Sequence, residues 1–442
     1  MGVRAKGGGA LGRGAEPILA GLVLAAAVAA FLFLRRFGYL PSPFYHFKND
    51  TFLDWYGPAF WAHRPGPYAQ GQAIYPPLAF DLLRFLTRAE CYGQSPESAR
   101  ICDASGYLVT TLFLPINFLL ALMAFRRAGV TAAVSRALAL SLGASMLYGW
   151  ERGNLVLPCF AAFTLGIGAL APRSAFRFAA QALCINLKPY LLIVPFTAFL
   201  RRRWREAFGV GVASAALYLI SAWALGAGGP VELGHNLLAF MTAPADRRYG
   251  VFQFSTTYDS LLQVLAYSAP LRDYLGPGLV AVMRILAPIL MGASCGAAAL
   301  CLFGALARPE AISAERAAAI GFSIMFVFAS PGAYALIFLL FLVFQEAGRG
   351  WGVRLAVLAA YLWCIPWDYN LAPVMHESNF SFLAGRPVGF ELSLTLGELL
   401  RPALVLLIQV GLVMDTLPRL ACALRRGQST TMPVIAPEAT SR

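Results

Sequence analysis

The sequence predicts an all-α polytopic membrane protein, a bundle of about 11–13 transmembrane or half-membrane helices. Three observations predict it. The 442 residues are 59% hydrophobic and only 13% charged, with a mean hydropathy of +0.64. The apolar residues fall in long runs, and a helix needs roughly 20 of them to cross a bilayer. No alternating barrel pattern is present, and backbone polar groups in lipid must be satisfied within the segment, so the spans are helices.

In chain order, residues 1–16 form a Gly-rich tail with Arg4, Lys6 and Arg13, read as cytoplasmic. The apolar run Pro17–Leu34 follows. It is long, is followed by Arg35-Arg36 and shows no convincing cleavage site, so it reads as a retained signal-anchor. Further apolar segments lie at 106–125, 131–149, 154–171, 178–200, 206–227, 277–306, 315–330, 333–346, 354–371 and 397–418. The integral domain spans 17–418, and 419–442 is a second cytoplasmic tail.

The net charge of +13 does not point to nucleic acid. The basic residues sit in short clusters between apolar runs, as the positive-inside rule places them, and no basic patch interleaves with aromatics. Arg126-Arg127, Arg173/Arg177, Arg201-Arg202-Arg203, Arg308/Arg316, Arg349/Arg354 and Arg425-Arg426 are expected inside. Arg177 and Arg201 can share a side only if 178–200 enters and returns. Asn186-Leu187-Lys188-Pro189-Tyr190 at its middle supplies the break, because proline removes a helix bond and disfavours helix at the residue before it. The segments 315–330 and 333–346, divided by Ser330-Pro331-Gly332, read as a second short hairpin. The loops 37–105, 228–276 and 372–396 then fall outside, with Arg35-Arg36 the exception.

Within loop 37–105, residues 54–63 and 78–88 show helical spacing of apolar residues with Trp55, Trp61, Phe80 and Phe85. They are expected to lie in the membrane interface and to roof an outer cavity. Cys91 and Cys102 share this polar loop, either bridged or as two thiols; the other six cysteines lie in or beside apolar runs as small hydrophobes. His46, His63, His235 and His376 all fall in external loops, but without metal-ligand spacing, and no metal or other cofactor is implied.

Four places could carry chemistry. Asp50 is one of only 22 carboxylates and lies just outside the first span, in Asp50-Thr51-Phe52-Leu53-Asp54-Trp55-Tyr56. It could act as a general base on a hydroxyl, or begin a helix as a cap. Lys188 is one of three lysines among 35 basic residues and sits inside an apolar run, where a charge implies a cavity or an anionic partner. Its alternative, snorkelling to the interface, is disfavoured by its mid-segment position. Glu151-Arg152-Gly153-Asn154 and Asp246-Arg247-Arg248-Tyr249 place guanidinium groups on external turns, as phosphate forks or as loop salt bridges.

These residues resemble the polyprenol-phosphate-dependent glycosyltransferases of family 87, membrane enzymes of the GT-C fold. The resemblance rests on Asp50 after the first helix, an aromatic stretch closing in Gly66-Pro67-Tyr68, then Tyr75-Pro76-Pro77-Leu78, Lys188-Pro189 ahead of Arg201-Arg202-Arg203-Trp204-Arg205, and Ser330-Pro331. It covers most of the chain in hydropathy, on short motifs. Family members often carry histidine soon after the late Ser-Pro; this chain has Gly332-Ala333-Tyr334 there. The resemblance implies transfer of a hexose, mannose-like, from a polyprenyl-phosphate donor to a glycan or lipid acceptor hydroxyl, at the outer face of the plasma (inner) membrane. Asp50 would be the base, with Asp54 orienting it or serving as reserve. Lys188, Arg247, Arg248 and Arg152 would hold the donor phosphate, and Tyr68, Tyr75 and Tyr334 would line the cavity. One base and direct attack imply inversion at the anomeric carbon.

Other readings stay open. Broken helices and a midplane lysine also suit a secondary transporter, although no two-fold hydropathy repeat is evident. A lipid-linked glycan ligase or flippase fits the same lipid-carrier theme, and a scaffold protein would tolerate loss of Asp50 or Lys188.

Overall fold

The computed structural model describes residues 10–11, 14–44, 51–167, 170, 173–242, 258–328, 331–348 and 350–429. Asp50, Arg247 and Arg248 lie outside them. The described residues are mostly helical, and six helices are long and apolar enough to cross a membrane: Ala15–Phe37, Ser105–Ala128, Val130–Glu151, Trp204–Leu225, Pro277–Ala307 and Gly397–Arg425. Shorter apolar helices cover Val156–Ile167, Pro189–Leu200, Ala333–Phe344 and Trp351–Cys364.

The first helix, α1 (Ala15–Phe37), ends where Gly38 turns left-handed (φ 84°) and returns its amide to Leu34 O at 2.7 Å, a termination that glycine favours. The helices expected in the first loop follow as α2 (Leu53–Ala62) and α3 (Pro77–Leu86), the latter with proline in its first turn. Their aromatics divide. Trp55 and Phe80 are buried in the protein, whereas Phe85 is left exposed. Next, α4 (Pro96–Cys102) begins with a Ser95 capping box, and Cys102 is bridged to Cys91. The span α5 (Ser105–Phe125) leads to α6 (Val130–Ser141) and α7 (Ala144–Glu151), so the run 131–149 is two helices broken at Leu142-Gly143.

The expected half-helices are present. After α8 (Val156–Ile167), α9 (Ser174–Leu187) stops at Lys188, whose extended backbone (φ −140°, ψ 97°) is what a following proline demands. A 3-10 turn then opens α10 (Ile193–Leu200), and α11 (Trp204–Leu225) follows. Gly209 of α11 lies against Phe178, and Asn186 Nδ2 donates to Ser214 O at 3.0 Å. Hence α9 and α11 run parallel, and α10 between them must run back.

The helix α12 (Pro230–Thr242) precedes α13 (Tyr258–Tyr267), α14 (Ala269–Leu275) and the long α15 (Pro277–Ala307). The second hairpin is α16 (Ala314–Phe328) and α17 (Ile337–Phe344), joined through the 3-10 turn Ala333–Leu336. Arg316 at the start of α16 pairs with Glu346 just beyond α17 at 2.5 Å, so the two run antiparallel. All eight residues of α17 are buried, and its Phe338 and Phe341 meet Phe163 at 4.7 and 5.9 Å. This is the centre of the core.

After α18 (Trp351–Cys364) comes an element the sequence reading did not anticipate. The loop 372–396 is an antiparallel ribbon, β1 (Asn370–Ser381) and β2 (Arg386–Thr395), with His376 opposite Glu391 and two register shifts. Tyr39 packs on Phe390 at 4.7 Å, and Asp368 N bonds Ser42 O at 3.1 Å, so the ribbon closes over the end of α1. The last helix, α19 (Gly397–Ser429), crosses back.

Ion pairs tie the bundle at both ends. At one end Arg136 grips Glu16 with two bonds of 2.8 and 2.9 Å, and Arg316 bridges Glu346 and Asp415. At the other, Arg401 holds Asp368 at 2.7 Å and Arg152 holds Asp54 at 2.9 Å.

Candidate functional site

The site is assembled where α2 meets the turn between α7 and α8. The backbone does the joining. Phe52 N donates to Glu151 O at 2.8 Å, and Asp54 N donates to Arg152 O at 3.0 Å. Gly153 allows this closeness: its φ is +63°, and a Cβ there would stand 2.8 Å from the Phe52 ring and 3.2 Å from Trp55 Cβ. Phe52 itself is left-handed (φ 61°), a strained choice for an aromatic residue that the surrounding packing enforces.

Both Asp54 oxygens are engaged. Oδ1 accepts from Arg152 Nη2 at 2.9 Å, and Oδ2 accepts from Asn154 Nδ2 at 2.7 Å. Asn154 is fully buried, and its Oδ1 accepts the Val156 amide at 2.9 Å. It therefore satisfies a free donor at the start of α8 while fixing Asp54. Nearby, Thr51 Oγ1 donates to Glu151 Oε1 at 2.8 Å.

Lys188 arrives from the other side. It is 5% exposed, and its Nζ lies 4.5 Å from the Tyr75 ring centre and 5.3 Å from that of Tyr334. Two aromatic faces give a desolvated ammonium partial compensation. Among the described residues Lys188 Nζ has neither an ion pair nor a hydrogen bond, although the Asp54 charge acts on it. Burial pushes the Tyr75 phenol well above its ordinary range, with the Asp54 carboxylate adding to this. Tyr334 is held from behind: it stacks on Tyr148 at 5.7 Å, and Ser145 Oγ bonds Ala333 O at 3.0 Å. The Asn154 amide stands beside both phenols.

Tyr75 is aimed by a strap, residues 66–75. Tyr68, buried, donates its hydroxyl to Tyr75 O at 2.8 Å. Asn236 of α12 donates to Tyr68 O at 3.0 Å and Ala73 O at 3.1 Å, clamping both ends of the strap. Gly228 (φ +84°) presses on the Tyr68 ring, where a Cβ would come within 2.5 Å.

Of the residues expected at the site, Asp54, Arg152, Lys188, Tyr75 and Tyr334 converge, and Tyr68 holds the strap. Arg152 meets Asp54 through Nη2 at 2.9 Å. Asp50 lies next to Thr51 in the chain but outside the described residues, as do Arg247 and Arg248. Sequence reasoning missed Asn154 and Asn236. The stretch Glu151-Arg152-Gly153-Asn154 carried a signal for the first, since a capping residue follows a turn glycine; nothing local marks the second. Among the described residues no three His, Cys, Asp or Glu side chains cluster as metal ligands. The arrangement sets the Lys188 ammonium against two phenol rings, near an oriented carboxylate, as a cation that could hold an anion. Compared with known proteins, the chain matches no family model, no curated protein and no solved structure.

Proposed function

We propose that the chain is an integral membrane glycosyltransferase moving a hexose, mannose-like, from a polyprenyl-phosphate donor to the hydroxyl of a glycan or lipid acceptor. The observation that carries this is Lys188: a buried cation between two phenol rings, without an anionic partner among the described residues, in a chain rich in membrane-length helices. A lipid phosphate supplies the missing anion. The leaving phosphate gains charge as the sugar–oxygen bond breaks, and a preplaced ammonium in a dry site favours that charge.

In this reading Asp50 takes the acceptor proton, the freed oxygen attacks the anomeric carbon, and the sugar inverts. Asp54, held by Arg152 and Asn154, orients Asp50 or serves as a reserve base. Arg247 and Arg248 would add to the phosphate site. The reaction faces the outside of the plasma membrane, where a lipid-borne donor and its acceptor meet.

The test is transfer of radiolabelled sugar from polyprenyl-phosphate donors by the purified chain, beside Asp50→Asn and Lys188→Ala. Full activity in Asp50→Asn removes the assigned base. The broken helices at Lys188-Pro189 and Gly332 keep a secondary transporter as the second reading. Donor-independent uptake of solute into vesicles, lost in Lys188→Ala, would support it instead.

A further inference from the structure

A second anion-binding feature lies at the end of the bundle away from Asp54, on the turn between α10 and α11. Two arginine-bearing turns meet there: Arg201, Arg202 and Arg203, with Arg205 in the first turn of α11, and Arg308 beside Pro309 after α15. They are joined because Arg201 Nη2 donates to Pro309 O at 3.2 Å. Among the described residues only Arg203 of the five has an ion pair, with Glu206. The Nε of Arg201 is buried without a hydrogen-bond partner. Burial first, then the neighbouring Arg203 charge, lowers its affinity for its proton, against Glu315 and Glu206.

Charge alone would serve only to orient a membrane protein. Here it continues into an apolar stripe. Trp204 meets Phe199 edge-on at 4.4 Å, and Phe196, Phe208 and Val212 are exposed beyond them. At helical rise Val212 lies about 12 Å along α11 from Trp204, the direction acyl chains take from a headgroup into the bilayer.

We propose that this turn seats the phosphate of an acidic diacyl phospholipid, with its chains along Phe196, Phe199, Phe208 and Val212. Guanidinium groups match phosphate oxygens in pairs, and basic residues at a bundle end attract anionic lipid. A soluble phosphate would use the arginines but leave the stripe bare. The site is separate from Lys188 and does not depend on the glycosyltransferase reading.

The test uses the full chain in nanodiscs of phosphatidylcholine, with and without phosphatidylglycerol, reading retained lipid by native mass spectrometry and the unfolding temperature. Phosphatidylglycerol should co-purify and raise the unfolding temperature. Arg202→Gln/Arg205→Gln, both exposed and unpaired, should weaken its retention about tenfold or more. Arg126→Gln/Arg127→Gln, an exposed basic pair elsewhere, should not. Equal loss in the two double variants, or no loss in either, overturns the site. An equal thermal shift from soluble glycerophosphate overturns the lipid as its occupant.

Discussion

The ammonium of Lys188 lies 4.5 Å from the centre of the Tyr75 ring, which ties the break between α9 and α10 to the strap ahead of α3. Pro189 forces the helix to end at Lys188, while Asn236 and Tyr68 aim the strap. Whatever binds Lys188 is therefore sensed by three segments.

Replacing Lys188 should separate stability from function. A buried cation without a hydrogen-bonded partner costs free energy to keep, so Lys188→Met is expected to leave the unfolding temperature unchanged or raised. Sugar transfer should fall about 100-fold or more, the scale of losing one preorganised charge-stabilising group. Both are measured on one purified sample. A large drop in unfolding temperature would instead make Lys188 a structural residue.

Gly153→Ala should damage the site without touching a polar group. A Cβ meets the Phe52 ring at 2.8 Å, and the φ of +63° disfavours any L side chain. The cost expected is about 1–3 kcal/mol, from the strained backbone alone. Denaturant unfolding checks it; an unchanged midpoint would mean that α2 can shift.

The pair Glu16–Arg136 is 1% and 0% exposed. Glu16→Gln alone leaves a buried guanidinium uncompensated and should destabilise by about 3–5 kcal/mol. Glu16→Leu combined with Arg136→Met removes both charges and should recover most of that loss. Thermal unfolding of the two variants compares them directly, and equal losses would argue against a desolvated pair.

The Cys91–Cys102 bridge closes a short loop, with a separation of 11 residues. Its reduction should cost about 2–4 kcal/mol, felt in α4 and the loop 37–105. Free-thiol counting under native conditions with and without reductant checks the bridge, and proteolysis of residues 88–104 reports the loosening.

Hydropathy and a few special residues made much of the fold legible. The runs that became α1, α5, α11, α15 and α19 are visible because a membrane helix is chosen by apolar length, a local property. The break at Lys188-Pro189 was equally legible, since proline acts on its immediate neighbours. The ribbon 370–395 was not, because Pro373 and an irregular apolar order hide it, and its strands exist only by pairing with each other over the end of α1.

The candidate site divides in the same way. Asp54, Arg152, Lys188, Tyr75 and Tyr334 stood out by residue type, each near a turn or a break. Their meeting did not, nor did Asn154 and Asn236, whose amides matter only through partners far along the chain. Trp55 and Phe80 looked suited to lipid headgroups, yet packing against the rest of the protein took them inward. By itself the sequence determined where the long apolar helices lie and that one run breaks at Lys188-Pro189, because those choices depend on contacts a few residues apart. Only the tertiary structure decided which polar groups meet, because desolvated charges and amides are placed by whichever distant partners satisfy them.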